Sequence, residues 1–300
     1  MLDQLTKFIR DRFHPLFVLR RSRLFVDWVM PVFDSPIACN LWRVNWKVYL
    51  RLARHLSLVL NSKLGEPGTG SLFLSLLKMT HPKIFWDIGA NIGGYSWLLM
   101  SVNKDLQAVL FEPDPDNAWL IEKTISHAHL KNAHLIRRAV SNEIGTATFA
   151  VDKVSSATGS LMIDQTFSER IFGHKPPCIT VETTTLDSLW KQEGFSFPDI
   201  IKIDVEMAEH LVFEGAMELI KESQPVIIFE CSSWNKPTLT RLLTEFGYII
   251  LGADHPDEPA ESAVNLLALP IRYQSFLDQL IADWRREYAA WETISTDSGN

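Results

Sequence analysis

Between Ile84 and Leu269, short apolar runs alternate with segments of helical length. Ile84–Ile88, Ala108–Phe111, Ala133–Val140, Ile200–Val205, Val226–Glu230, Tyr248–Leu251 and Leu266–Leu269 read as strands. Tyr95–Val102, Pro115–His127, Ala208–Lys221 and Pro237–Glu245 read as the helices between them. Strands apolar on both faces belong in a sheet covered by helices on both sides, so this alternation predicts a mostly parallel α/β sheet. Thr146–Val151 and Thr180–Thr185 are two further strands, and Ser155–Pro177 is irregular. Residues 271–293 place Tyr273, Phe276, Leu277, Leu280, Ile281, Trp284, Tyr288 and Trp291 at helical spacing, which predicts an amphipathic helix. Residues 1–62 read as a helical N-terminal extension broken at Pro31 and Pro36, ahead of a domain spanning 63–300 with its core at about 84–270.

Charge divides the chain unevenly. Residues 1–60 hold ten Lys/Arg and four Asp, a net of +6, while the whole chain is −7, which leaves −13 for the remainder. A body this acidic argues against nucleic-acid binding, which needs a basic footprint. The basic head has two uses: packing on the acidic body, or peripheral contact with a membrane. The longest uncharged run, Ile88–Asn103, is too short and too polar to span a bilayer, so no transmembrane segment is expected. Cys39, Cys178 and Cys231 are far apart and odd in number, as expected of reduced thiols in a cytoplasmic protein.

The first strand runs into Asp87-Ile-Gly-Ala-Asn-Ile-Gly-Gly94 and then a helix. A strand, a glycine-rich turn and a helix make a nucleotide-cofactor site. Gly89 allows the sharp turn, and Gly93 or Gly94 lets the helix approach the strand. Glu112, 23 residues past Gly89 and followed by Pro113, ends the second strand, where a carboxylate can accept from both hydroxyls of a ribose. A dinucleotide site needs a glycine where Asn91 stands, because the backbone there approaches a pyrophosphate. S-adenosylmethionine has no phosphate and tolerates Asn91. Asp87 suits that cofactor's cationic amino acid end, directly or through water.

At the carboxyl ends of later strands lie Asp204, Glu206, Glu209 and Glu230. Asp204, Glu206 and Glu230 are the catalytic candidates. They could bind Mg²⁺, which prefers oxygen ligands, or supply a general base whose pKa is raised by its neighbours. Glu206 and Glu209 could instead simply favour a helix N-terminus. Lys202 and Asp204 share a strand face and could pair.

Asp87–Gly93, Phe111-Glu-Pro-Asp-Pro-Asp-Asn117, Ala139-Val-Ser141, Thr184-Thr-Leu-Asp187, Ile201-Lys-Ile-Asp-Val-Glu206 with Ala208-Glu209, and Phe229-Glu230 resemble the FkbM-type methyltransferases. The resemblance runs from about Glu66 to Leu269. A glycine normally stands in that family where this chain has Met207. The resemblance implies a class I methyltransferase, Rossmann-like fold with seven strands, and S-adenosylmethionine-dependent methylation of oxygen on a sugar, a glycan unit or another small molecule. Carried over, Ser141 would sit near the adenine, Glu66 would reach the methionine end, and Asn117 would cap or brace the Glu112 loop. The full cofactor set is then Glu66, Asp87, Gly89, Asn91, Gly93, Glu112, Pro113 and Ser141. Two other readings remain open: an NAD-dependent oxidoreductase, which Asn91 disfavours, and a non-catalytic module of a glycan assembly complex.

Overall fold

The computed structural model describes residues 28–62, 64–153, 159–161 and 177–293. The head holds α1 (Met30–Phe33), β1 (Pro36–Asn40), β2 (Lys47–Arg51) and α2 (Leu56–Asn61). There follow α3 (Pro67–Thr80), β3 (Ile84–Ile88), α4 (Gly94–Val102), β4 (Gln107–Phe111), α5 (Pro115–Ala128) and β5 (Ala133–Ile136). Next come β6 (Ala139–Val140), β7 (Gly145–Ala150), β8 (Cys178–Thr184), α6 (Leu186–Lys191) and β9 (Ile200–Ile203). The chain then forms α7 (Glu209–Glu214), α8 (Met217–Ser223), β10 (Val226–Glu230), α9 (Lys236–Glu245), β11 (Tyr248–Gly252) and β12 (Asn265–Pro270). A 3₁₀ segment, Ile271–Phe276, leads into α10 (Leu277–Thr293).

Seven strands form one sheet in the order β11-β12-β10-β9-β3-β4-β5. All neighbours pair in parallel except β12, which is antiparallel to both β10 and β11. This is the expected mostly parallel class I methyltransferase sheet. Successive side chains of a strand enter opposite layers. Phe85, Ile200 and Ile228 join the layer built on α3, α4, α5 and α10, and Trp86, Ile201 and Ile227 join the layer of α6 to α9. β6, β8 and β7 form a separate three-stranded sheet beside the carboxyl edge.

Three expectations are corrected. The head is not wholly helical: β1 and β2 make an antiparallel hairpin with Ala38 opposite Tyr49. Val48 and Leu50 are fully buried between Lys47, Tyr49 and Arg51, a two-residue period that marks a strand with one apolar face. Residues 1–27 of the head lie outside the described residues. The run Ala133–Val140 is two strands in two sheets, parted at Arg137 and Arg138, which turn out to Glu122 and Glu193. The helix at Ala208–Lys221 is likewise two, α7 and α8, separated at Gly215, whose carbonyl accepts from the Asp187 N–H. Most of the irregular segment 155–177 lies outside the described residues.

α10 packs on α3 more than on the sheet. Trp284 donates its Nε1–H to Gly68 O at 2.9 Å and lies 3.0 Å from Ser71 Oγ. Among the described residues, no helix is long and apolar enough to cross a membrane.

Candidate active site

The site is built first from the turn after β3. Gly89 has φ +74°, and a Cβ there would stand 1.9 Å from the Asp204 carbonyl oxygen, so only glycine fits between the two strand ends. Gly89 and Ala90 both donate to Phe111 O. Gly93, at φ +78°, precedes α4. Asn91 adopts φ +55°, a conformation asparagine tolerates better than most side chains.

Glu112 locks this turn to the end of β4. One carboxylate oxygen accepts from the Asn91 N–H at 2.7 Å, and the other accepts from the Asp114 N–H at 2.9 Å. Each oxygen keeps a second lone pair for a ligand. Burial, followed by the charge of Asp114, pushes the Glu112 carboxyl up to about 8. Asp114 caps α5: its side chain accepts from the Asp116 and Asn117 N–H groups. Asn117 borders the cleft, and its buried Oδ1 has no hydrogen-bond partner among the described residues.

An open cleft of about 640 Å³ extends from this turn along the carboxyl edge. Of the residues singled out in the sequence, Gly89, Asn91, Glu112, Pro113, Asp204 and Glu206 line it. So do residues not foreseen from the sequence: Asp114, Arg138, Val140, Phe149, Asp152 and Leu161. Val140 and Phe149 come from the three-stranded sheet, whose position follows from strand pairing and leaves no local motif. Among the described residues, five carboxyl groups thus line the cleft against one cation, Arg138, which is held by both oxygens of Glu193.

Other expected site residues lie off the cleft. Asp87 is buried, accepting from Ser96 Oγ at 2.7 Å and standing 3.9 Å from Lys202 Nζ, so it faces the protein interior. Gly93 is turned to Trp97. Ser141 points to Asn142 and donates its N–H to Thr184 O, away from the cleft lining. Glu66 accepts from the Tyr95 hydroxyl at 2.6 Å.

Behind the lining, Lys202 Nζ contacts Asp204 Oδ2 at 2.9 Å, the pairing read from the strand face, and lies over the Tyr95 ring. Burial opposes both charges, but the pair outweighs it: Lys202 is held above the ordinary lysine range and Asp204 below the ordinary aspartate range. Asp204, Glu206 and Glu230 each bring a carboxylate oxygen within 4.8 Å of the others. Burial and then the Asp204 charge push Glu206 and Glu230 far above ordinary glutamate values. Glu230 supports Asp204 from outside the lining. Glu209 folds back to accept from the Met207 N–H at 3.0 Å, a local brace at the start of α7. His210 rests edge-on to Trp234 with Nδ1 3.2 Å from the Asn235 amide.

The head reaches this site. Asp34 accepts from the Ala53 and Arg54 N–H groups and pairs with Arg54 Nε at 2.6 Å, while Arg51 and Arg54 both grip Asp116 at the start of α5. His55 is buried, with Nδ1 accepting from the Arg51 N–H at 3.0 Å. Asn91 lies beside its ring, though no full hydrogen bond joins His55 Nε2 to Asn91 Oδ1.

The sequence model of the Methyltransferase FkbM domain matches residues 87–250, more than half of the chain. No curated protein matches it in sequence. Among solved structures, it is similar to a methyltransferase FkbM from Methylobacillus flagellatus KT, at 17% identity and a TM-score of 0.43. That likeness covers 62% of this chain and 43% of the other, so the chain spans less than half of that protein's length. A precorrin-6y C5,15-methyltransferase from Geobacter metallireducens is 11% identical over 66% of this chain and 84% of its own, with a TM-score of 0.38. An O-methyltransferase from Bacillus cereus, in complex with SAH, is 16% identical over 72% and 86%, with a TM-score of 0.39.

Proposed function

Because this chain belongs to the FkbM-domain methyltransferase family, we propose that it methylates a hydroxyl oxygen of a sugar, glycan unit or other small molecule, using S-adenosylmethionine. The observation that carries this reading is the continuity of one acidic cleft from the Gly89–Glu112 turn to Asp204 and Glu206. Among the described residues the cleft's one cation, Arg138, is already paired with Glu193, so the lining offers no free positive charge to the pyrophosphate of a dinucleotide, which ranks the oxidoreductase reading lower. Glu112 has the free lone pairs for a ribose diol, and the orphaned Asn117 Oδ1 offers a further acceptor.

S-adenosylmethionine supplies a methyl group on a positively charged sulfur, open to in-line displacement. The chain's own groups hold the acceptor and manage its proton. Lys202 keeps Asp204 ionised, so Asp204 can orient an acceptor hydroxyl. Glu206 borders the cleft with a high proton affinity, and in its ionised form it takes the hydroxyl proton. Glu230 holds Asp204 in place. Alternatively, the same three carboxylates hold Mg²⁺, a use their mutual approach within 4.8 Å favours.

Calorimetric titration tests the cofactor assignment. The wild type should bind S-adenosylmethionine or its demethylated product, and Glu112→Ala should weaken binding about tenfold, as for lost hydrogen bonds to the ribose. If the folded wild type bound neither, the reading would fail. Labelled methyl transfer to cell extracts, with and without a chelator, then separates the two uses of the acids. Activity that survives chelation assigns Glu206 to proton transfer, and activity restored only by Mg²⁺ assigns the three acids to a metal.

A further inference from the structure

Four large apolar side chains crowd into six residues at the start of the described head. Trp28, Val29, Val32 and Phe33 are 76%, 39%, 70% and 64% exposed. Soluble surfaces scatter such residues singly, and a contiguous group marks an interaction site. The sequence just ahead is basic: residues 1–27 carry six Lys/Arg against three Asp, a net of +3. Further along the head, Arg43, Arg51 and Arg54 are engaged by Glu287, Asp116 and Asp34. Lys47, in β2, is exposed. The cationic charge next to the patch in sequence is that of residues 1–27, while residues 61–300 carry −13.

Aromatic and aliphatic side chains next to basic residues are the composition that settles at a lipid headgroup boundary. An anionic surface would attract the head and repel the body, which orients the molecule before contact. A second copy of the chain fits less well, since it would bring two +3 segments together. We propose that the Trp28–Phe33 patch inserts into the interface of an anionic lipid bilayer, making the protein a peripheral membrane protein. This surface is independent of the methyl-transfer reading and stands or falls separately from it.

The test is co-sedimentation of the full chain with vesicles of phosphatidylcholine alone, or with about one third phosphatidylglycerol. The expected result is binding to the anionic vesicles about tenfold tighter than to neutral ones, with the advantage lost at about 1 M salt. The double variant Trp28→Ser/Phe33→Ser should bind anionic vesicles about tenfold more weakly while melting at the wild-type temperature. Equal binding to both vesicle types would overturn the proposal, as would unchanged binding by the double variant. It would also be overturned by a wild type that is dimeric without lipid and becomes monomeric in the double variant, which would give the patch to a second copy.

Discussion

Two single residues show where local rules and function part. Glu206 and Met207 occupy left-handed backbone, at φ +52° and +76°, in the turn that presents Glu206 to the cleft. A side chain there is strained, and the family's usual glycine at this position is the residue that relieves it. Met207→Gly is expected to raise stability by about 1 kcal/mol, measured by urea unfolding; a loss of stability would show that Met207 packing outweighs the strain. His55 lies buried beside Asn91, and burial, ahead of any charge effect, lowers it to about 4. Its folded value is depressed below the unfolded value near 6.5, so the unfolded chain binds the extra proton between these limits. Stability is therefore full above pH 6.5 and falls as pH drops towards 4, by up to about 3 kcal/mol from this group. Unfolding at pH 7 and pH 5 should show a smaller drop in His55→Asn than in the wild type; equal drops would remove His55 from the acid sensitivity. The place of Gly89, Asn91, Glu112, Asp204 and Glu206 at the cleft was legible in the sequence because each sits at a strand end or turn whose position follows from local pattern. Asp87 and Ser141 lie off the cleft lining, because strand-end position does not say which way a side chain turns; Ser96 and Lys202 claim the one, Asn142 the other.

At the scale of elements, the parallel strands were legible because β3, β9 and β10 are apolar on both faces. The hairpin of the head was not, because only Val48 and Leu50 carry its period, amid bulky residues that also suit a helix. The three-stranded sheet was readable as strands but not as a wall of the cleft, since β6 pairs with β8 across more than forty intervening residues. The contact of α10 with α3 is a second long-range feature with a measurable cost. Trp284→Phe keeps the apolar bulk but leaves Gly68 O without the indole donor, and should destabilise by about 1–3 kcal/mol. Guanidinium unfolding with an unchanged midpoint would show that Ser71 or water replaces that donor.

Across the whole molecule, the head is fastened to the body by charge. Arg54 meets a buried Asp34 on one side and Asp116 on the other. Arg54→Ala leaves the Asp34 carboxylate buried without its cation, and should cost about 3 kcal/mol. If the head also positions the Asn91 turn, cofactor affinity measured by calorimetry falls with it, whereas a purely structural clamp would lower the melting temperature alone. The antiparallel β12 has a consequence of a different kind. It reverses the chain so that α10 returns to α3, and Trp284 and Trp291 enter the same apolar layer as Leu72 and Phe73. That layer cannot close during synthesis until residues 277–293 have left the ribosome. The nascent chain carries a half-built core through most of its translation, and its exposure to chaperones is set by when those last helical turns emerge.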